Sequence, residues 1–85
     1  MAIKEATKAI RIRPGYASGY STRGLAYLGI GHIRTAITDY SKAIQIDPDG
    51  AQAYSARSLA YKILGQSSLA AADSAKACSL DTRYC

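Results

Sequence analysis

Tyr20-Ser21-Thr22-Arg23-Gly24-Leu25-Ala26-Tyr27 returns thirty-four residues later as Tyr54-Ser55-Ala56-Arg57-Ser58-Leu59-Ala60-Tyr61. Outward from this pair of octets, Ala17–Gly50 lies over Ala51–Tyr84 without a gap. Thirteen positions are identical, in the first copy Ala17, Tyr20, Ser21, Arg23, Leu25, Ala26, Tyr27, Gly31, Ala36, Asp39, Lys42, Ala43 and Asp47. One period earlier, Ala2-Ile3, Ala9-Ile10 and Ile12-Arg13-Pro14 match Ala36-Ile37, Ala43-Ile44 and Ile46-Asp47-Pro48. A fixed period of this length marks an array of supersecondary units in which each unit buries its apolar face against its neighbours. Such arrays present a surface, so binding is the first functional expectation.

The residues that carry the period resemble the tetratricopeptide repeat, a pair of antiparallel helices in about 34 residues. Tyr20, Arg23, Gly24, Leu25, Ala26 and Tyr27, then Gly31, Ala36, Tyr40, Ala43 and Asp47-Pro48, fall where that family places them. The second copy is looser: Gly24 becomes Ser58, Tyr40 becomes Ser74 and Pro48 becomes Thr82. The resemblance implies an all-α, right-handed superhelix of five helices in a single domain. Residues 1–16 would be the second helix of a truncated repeat, 17–50 the first full repeat and 51–84 the second. Pro48–Tyr54 and Ala77–Asp81 further resemble the tetratricopeptide segment of Hip-type cochaperones, which bind seventy-kilodalton heat-shock chaperones.

Periodicity places the helices at Ala2–Arg13, Ala17–Ile30, Ile33–Ile46, Ala51–Leu64 and Ser67–Leu80. Pro14-Gly15, Gly29-Ile30-Gly31 and Asp47-Pro48-Asp49-Gly50 break the chain between them. Alanines at 26, 36, 43, 60, 70 and 77 let helices approach, and Tyr20, Tyr27, Tyr40, Tyr54 and Tyr61 fill the spaces, with hydroxyls expected to reach water or a polar partner. Arg23 with Asp39, and Arg57 with Asp73, recur at the same two positions of each copy, which predicts an ion pair within each repeat. Glu5 holds the aspartate's position in the half repeat. Along the second helices, Ile3 and Ile10, then Ile37 and Ile44, give way to Ala71 and Cys78. The C-terminus therefore reads as close to a natural end, and the N-terminus as cut. There Ile3, Ile10 and Ile12 are expected to dock on the next helix, leaving Ala2, Ala6 and Ala9 open.

The net charge of +5 comes entirely from Met1–Arg34, where Lys4, Lys8, Arg11, Arg13, Arg23 and Arg34 face Glu5 alone. This is either a solvated outer face or a patch that steers an acidic partner or nucleic acid. Stacking of bases on the tyrosines is the weaker reading, because those residues stand at core positions. No apolar run approaches the ~18 residues of a membrane span, and no signal peptide is visible. Cys78 and Cys85 stand seven residues apart, ~10 Å along a helix and too far for a disulfide. They read as free thiols and suit a reducing cytoplasm.

Catalysis is not expected. Asp47 and Asp49 flank a turn proline, His32 has no second metal ligand, and Gly29-x-Gly31 follows a helix and lacks the lysine of a phosphate loop. No cofactor or metal is called for. In the family, the concave face is lined by set positions of each first helix. Carried onto this chain, these are Ser18, Ser21, Thr22, Leu25, Leu28 and Gly29, then Gln52, Ser55, Ala56, Leu59, Lys62 and Ile63. The chaperone-tail branch holds a terminal carboxylate there with lysine, asparagine and arginine. Ser21, Thr22, Leu25, Gln52 and Ala56 replace them, so that clamp is absent. The expected function is a cytoplasmic, non-catalytic protein–protein interaction module with a hydroxyl-and-aliphatic groove for a peptide or partner helix. Self-association through two unfinished ends, giving a homodimer, and weak binding of nucleic acid are the alternatives.

Overall fold

A computed structural model describes residues 2–85, the side chain of Ala2 excepted. Among the described residues there are five α-helices and one 3-10 turn: α1 (Ala2–Ile12), α2 (Ala17–Gly29), α3 (Ile33–Ile46), α4 (Ala51–Ile63), α5 (Ser67–Leu80) and η1 (Thr82–Tyr84). Consecutive helices pack on one another along the chain, α1 on α2, α2 on α3, α3 on α4 and α4 on α5. The bounds of α3 and α5 are those expected from the sequence, and α1, α2 and α4 each end one residue early.

Two glycines make the turns within the pairs. After α2, Gly31 has φ +85°, its N–H donates to Leu28 O, and His32 N–H donates to Tyr27 O. After α4, Gly65 has φ +77°, its N–H donates to Lys62 O, and Gln66 N–H donates to Tyr61 O. Both are Schellman motifs, whose left-handed residue favours glycine because it lacks a Cβ. The aromatic rings of Tyr27 and His32 stack across the first of these turns at 6.0 Å. Between the pairs, Asp47 acts as a turn former: its Oδ1 accepts the Asp49 N–H at 3.2 Å. Helix α5 starts without a side-chain cap, since the capping position is Gln66 and makes no side-chain hydrogen bond.

The core is narrow and built on small side chains. Ala36, Ala43, Ala53, Ala60, Ala70 and Ala77 are buried, with Tyr40 the one large side chain fully enclosed among the described residues. Small residues let helix backbones come close, so van der Waals contact replaces bulk. Where the first repeat sets Gly24 against Tyr40, the second sets Ser58 against Ser74, whose hydroxyls lie 2.6 Å apart while Ser58 also donates to Ala70 O at 2.8 Å.

Three expectations are corrected. Ile12 is 69% exposed and does not dock on α2; of the α1 isoleucines, Ile10 comes against Gly19. Ala6 is buried rather than open, because it shares the register of Tyr40; the side chain of Ala2 lies outside the described residues. Cys78 and Cys85 form a disulfide with Cα atoms 4.7 Å apart. The helical spacing used to exclude the bond does not apply, because α5 ends at Leu80 and extended Asp81 sends the chain through η1 back to Cys78.

Candidate interaction groove

The arginine that recurs in each repeat is the device that sets helix against helix. Arg23 on α2 donates through Nε to Asp39 Oδ2 at 2.9 Å and through Nη2 to Oδ1 at 2.8 Å. Arg57 on α4 does the same to Asp73, at 2.7 and 2.8 Å. The carboxylates are buried and the guanidinium groups mostly covered, at 21% and 19% exposure. This fork-to-fork geometry is the strong form of an ion pair. The hydrogen bond to each aspartate, with its charge adding, raises the arginine above its ordinary pKa even against the opposing effect of burial.

The third guanidinium nitrogen looks backward along the array. Nη1 of Arg23 reaches Thr7 Oγ1 on α1 at 3.4 Å, and Nη1 of Arg57 reaches Ser41 Oγ on α3 at 3.1 Å. Each arginine therefore ties its own pair of helices together and fastens that pair to the preceding helix. The tyrosines complete its seat: Arg23 lies over Tyr20 at 5.6 Å, and Arg57 over both Tyr54 and Tyr61 at 5.7 Å. Cation–π attraction of this kind is worth roughly 0.5–2 kcal/mol according to exposure. The sequence carried a signal for it, since Arg follows Tyr by three residues in both copies, but recurrence alone pointed only to the aspartate.

Between α2 and α4, with α3 as its floor, lies a groove of about 200 Å³. Of the residues expected to line it, Ser18, Ser21, Thr22 and Leu25 from α2 and Gln52 and Ala56 from α4 come together there. Leu28, Ser55, Leu59, Lys62 and Ile63 do not line this cavity; Leu59, Lys62 and Ile63 are exposed further along the helices. The rest of the lining was missed: Tyr40 and Ala43 from α3, Asp47 just past its end, and Ala17, Gly50 and Ala53. Asp47 is the only lining residue that carries a charge, and none of the lining residues is basic.

Tyr40 departs from expectation. Its hydroxyl is buried without a hydrogen-bond partner, although a buried tyrosine normally finds one. Burial raises the pKa of this hydroxyl above its ordinary value, and the nearby Asp39 charge adds to the effect.

Two sequence profiles, described as TPR repeat and Tetratricopeptide repeat, match residues 30–65 and 51–84. The Arabidopsis OM64 TPR domain is 32% identical, covering 96% of this chain and 68% of its own, with a TM-score of 0.94. The chain belongs to the tetratricopeptide repeat family. The TPR2B domain of yeast Sti1, solved in a complex with pHsp70, is 30% identical over 96% of this chain and 66% of its own, TM-score 0.93. The second TPR of Spaghetti (RPAP3), bound to the HSP90 peptide SRMEEVD, is 28% identical over 93% and 73%, TM-score 0.90. This tetratricopeptide chain thus spans about two-thirds of the length of these structures. No curated protein sequence matches it. Tetratricopeptide repeats generally mediate protein–protein interaction, and no described helix here is long and apolar enough to cross a membrane.

Proposed function

We propose that the groove between α2 and α4 holds an extended, neutral or basic segment of a protein partner, and that the chain is a non-catalytic interaction module. The observation that carries this reading is the charge of the groove. Its hydroxyls and amide (Ser18, Ser21, Thr22, Gln52) can exchange hydrogen bonds with a peptide backbone, and Leu25, Ala53 and Ala56 can take small apolar side chains. Its single ionised group is the Asp47 carboxylate, which repels acid and attracts base. A peptide such as the SRMEEVD of the Spaghetti complex brings several carboxylates and needs cations to hold them. Lys62 is exposed but outside the groove lining. A cochaperone-like role of the Hip type would therefore run through a folded chaperone surface rather than an acidic tail.

A cytoplasmic assignment requires that reducing thiols hold Cys78 and Cys85 in their dithiol form, against the bond that the structure shows. The expectation of unpaired cysteines no longer supports that assignment, so the redox state of the protein isolated from cells under alkylating conditions decides it.

The groove is tested with a displayed library of random heptapeptides selected on the immobilised protein. Selected peptides should be poor in acidic C-termini. They should lose binding to Leu25→Asp and Thr22→Arg variants but keep it to Ser68→Arg, which alters an exposed residue of α5. Peptides that bind the groove variants as well as the wild type would overturn the assignment.

A further inference from the structure

The two repeats treat one register in opposite ways. In the second, Ser74 has its hydroxyl 2.6 Å from that of Ser58, and Ser58 in turn donates to Ala70 O at 2.8 Å. Thirty-four residues earlier the same register holds Tyr40, set against Gly24, which offers no side-chain polar group. Tyr40 is 1% exposed, and its hydroxyl is the buried side-chain polar atom left without a partner among the described residues. The acid next to it in the chain is already engaged, since both Asp39 oxygens accept from Arg23. Phenylalanine would fill nearly the same volume without an orphaned hydroxyl, so packing alone gives no reason for tyrosine here. Tyr40 also lines the groove between α2 and α4, among Ser18, Ser21, Thr22 and Gln52.

We propose that Tyr40 is a specificity-determining residue of the groove, whose hydroxyl donates to the side-chain carboxamide of an asparagine or glutamine in the bound segment. The inference rests on the reading that the groove holds such a segment. The phenol has one proton to give, and burial beside Asp39 favours its neutral, donating form. Its partner must therefore be an acceptor. A carboxylate would be desolvated on a lining that holds Asp47 and no base. A lysine or arginine head carries no acceptor, so the proton would stay unpaired. A carboxamide is neutral, accepts through its oxygen and has two N–H donors for the serine and threonine oxygens of the lining. Because the hydroxyl is covered, a lining side chain must turn aside, and a group on a one- or two-carbon arm then reaches it where a main-chain carbonyl cannot. The small side chains of Ala43, Ala53 and Ala56 leave room for that arm.

The random heptapeptide library is selected in parallel on the wild type and on Tyr40→Phe, and peptides are kept that lose binding to Leu25→Asp. On the wild type, asparagine or glutamine should be enriched at one peptide position, and on Tyr40→Phe that preference should disappear. Replacing the amide residue of a selected peptide by its apolar isostere, methionine for glutamine or leucine for asparagine, should weaken binding to the wild type by about fivefold. Tyr40→Phe should weaken binding of the amide peptide by about as much, and the two losses should not add, because removing both partners leaves nothing unpaired. Tyr40→Phe should meanwhile unfold no more readily than the wild type, a readout that separates a lost contact from lost packing. A less stable variant overturns the inference, since the hydroxyl would then have a partner within the fold. Enrichment of basic or apolar residues at that position, additive losses, or the same preference on both proteins overturns it and leaves the groove reading intact. Selected peptides that ignore Leu25→Asp, or that are rich in acid, reject the groove reading and this inference with it.

Discussion

The ring of Tyr40 lies so close over Gly24 that a Cβ added there would stand 2.8 Å from Cε1 and 3.0 Å from Cδ1, with the Ala36 carbonyl oxygen at 3.2 Å. The glycine is a packing requirement, although in an isolated helix it costs up to ~1 kcal/mol relative to alanine. Overpacking a fixed aromatic ring costs about 1–3 kcal/mol, which outweighs the gain in helix propensity. Gly24→Ala should therefore destabilise by about 1 kcal/mol net, a fall in Tm of roughly 4–8 °C for a chain this size. Gly24→Ser with Tyr40→Ser copies the second repeat. In a double-mutant cycle that pair should lose less than the sum of its single changes, because Ser58 and Ser74 already make the alternative contact. Additivity within error would reject the coupling.

Tyr40→Phe isolates the unpaired hydroxyl. An unsatisfied buried hydroxyl costs about 1–3 kcal/mol, so its removal should stabilise the protein by about 1 kcal/mol in thermal or urea unfolding. The pH dependence follows with a definite sign. Burial raises the folded-state pKa of Tyr40, so the unfolded chain ionises first. The stabilisation is complete below the unfolded tyrosine value of about 10 and is lost as pH rises through the folded value. The phenylalanine variant should lose less stability than the wild type on going to alkaline pH. A variant less stable than the wild type at neutral pH would mean that the hydroxyl has a partner.

The two arginine seats should not be equivalent to lysine. A lysine keeps the charge but cannot fork onto a carboxylate while donating backward to a hydroxyl. Arg57→Lys should cost about 1–2 kcal/mol, and Asp73→Ala about 2–3 kcal/mol, since it leaves a largely covered guanidinium without its carboxylate. Ser41→Ala removes only the backward bond and should cost about 0.5–1 kcal/mol. Its effect should vanish in the Arg57→Lys background, a coupling that urea denaturation of the four proteins measures directly.

Much of this was legible in the sequence because the chain states it twice. Recurrence of Arg23 and Arg57 against Asp39 and Asp73 is a contact map written at a fixed offset, and Gly31 and Gly65 mark turns that need positive φ. What recurrence hid was what occurs once. Tyr40 of the groove floor has no counterpart in the second copy, where Ser74 stands, and it lies on α3, whereas the family's pattern directs attention to the first helix of each pair. The disulfide arises where the period fails, just past Asp81, where Thr82 replaces Pro48 and η1 begins, and spacing along an ideal helix gave the wrong distance. Ile12 was expected to dock on the next helix with Ile3 and Ile10, yet it stands on the last turn of α1 and faces solvent.

The Cys78–Cys85 bond closes a short loop around η1, whose residues Thr82, Arg83 and Tyr84 are exposed. Loop-closure entropy for a ring of this size sets a ceiling of about 2–3 kcal/mol on what the bond contributes. Replacement of both cysteines by serine should therefore lower Tm by no more than about 8–24 °C and raise amide exchange over residues 81–85. Protection in α2 and α3 should be unchanged. Loss of cooperative folding would show that η1 holds more of the array than its exposure implies.

The acidic-tail prediction tests the groove itself. With Asp47 its only charge, the peptide SRMEEVD should bind more weakly than about 1 mM, near −4 kcal/mol, by titration calorimetry. Thr22→Lys with Ala56→Lys places two cations on the lining from α2 and α4, and binding should rise at least about tenfold, or 1.4 kcal/mol. The gain should shrink between about 0.05 and 0.5 M salt, because exposed charges are screened over a shorter length as salt rises. A low-micromolar constant for the unmodified chain, about −8 kcal/mol, would require an anion site elsewhere. The basic face of α1, with Lys4, Lys8 and Arg11, would be the place to look, and a charge-reversed Lys8→Glu variant would locate it.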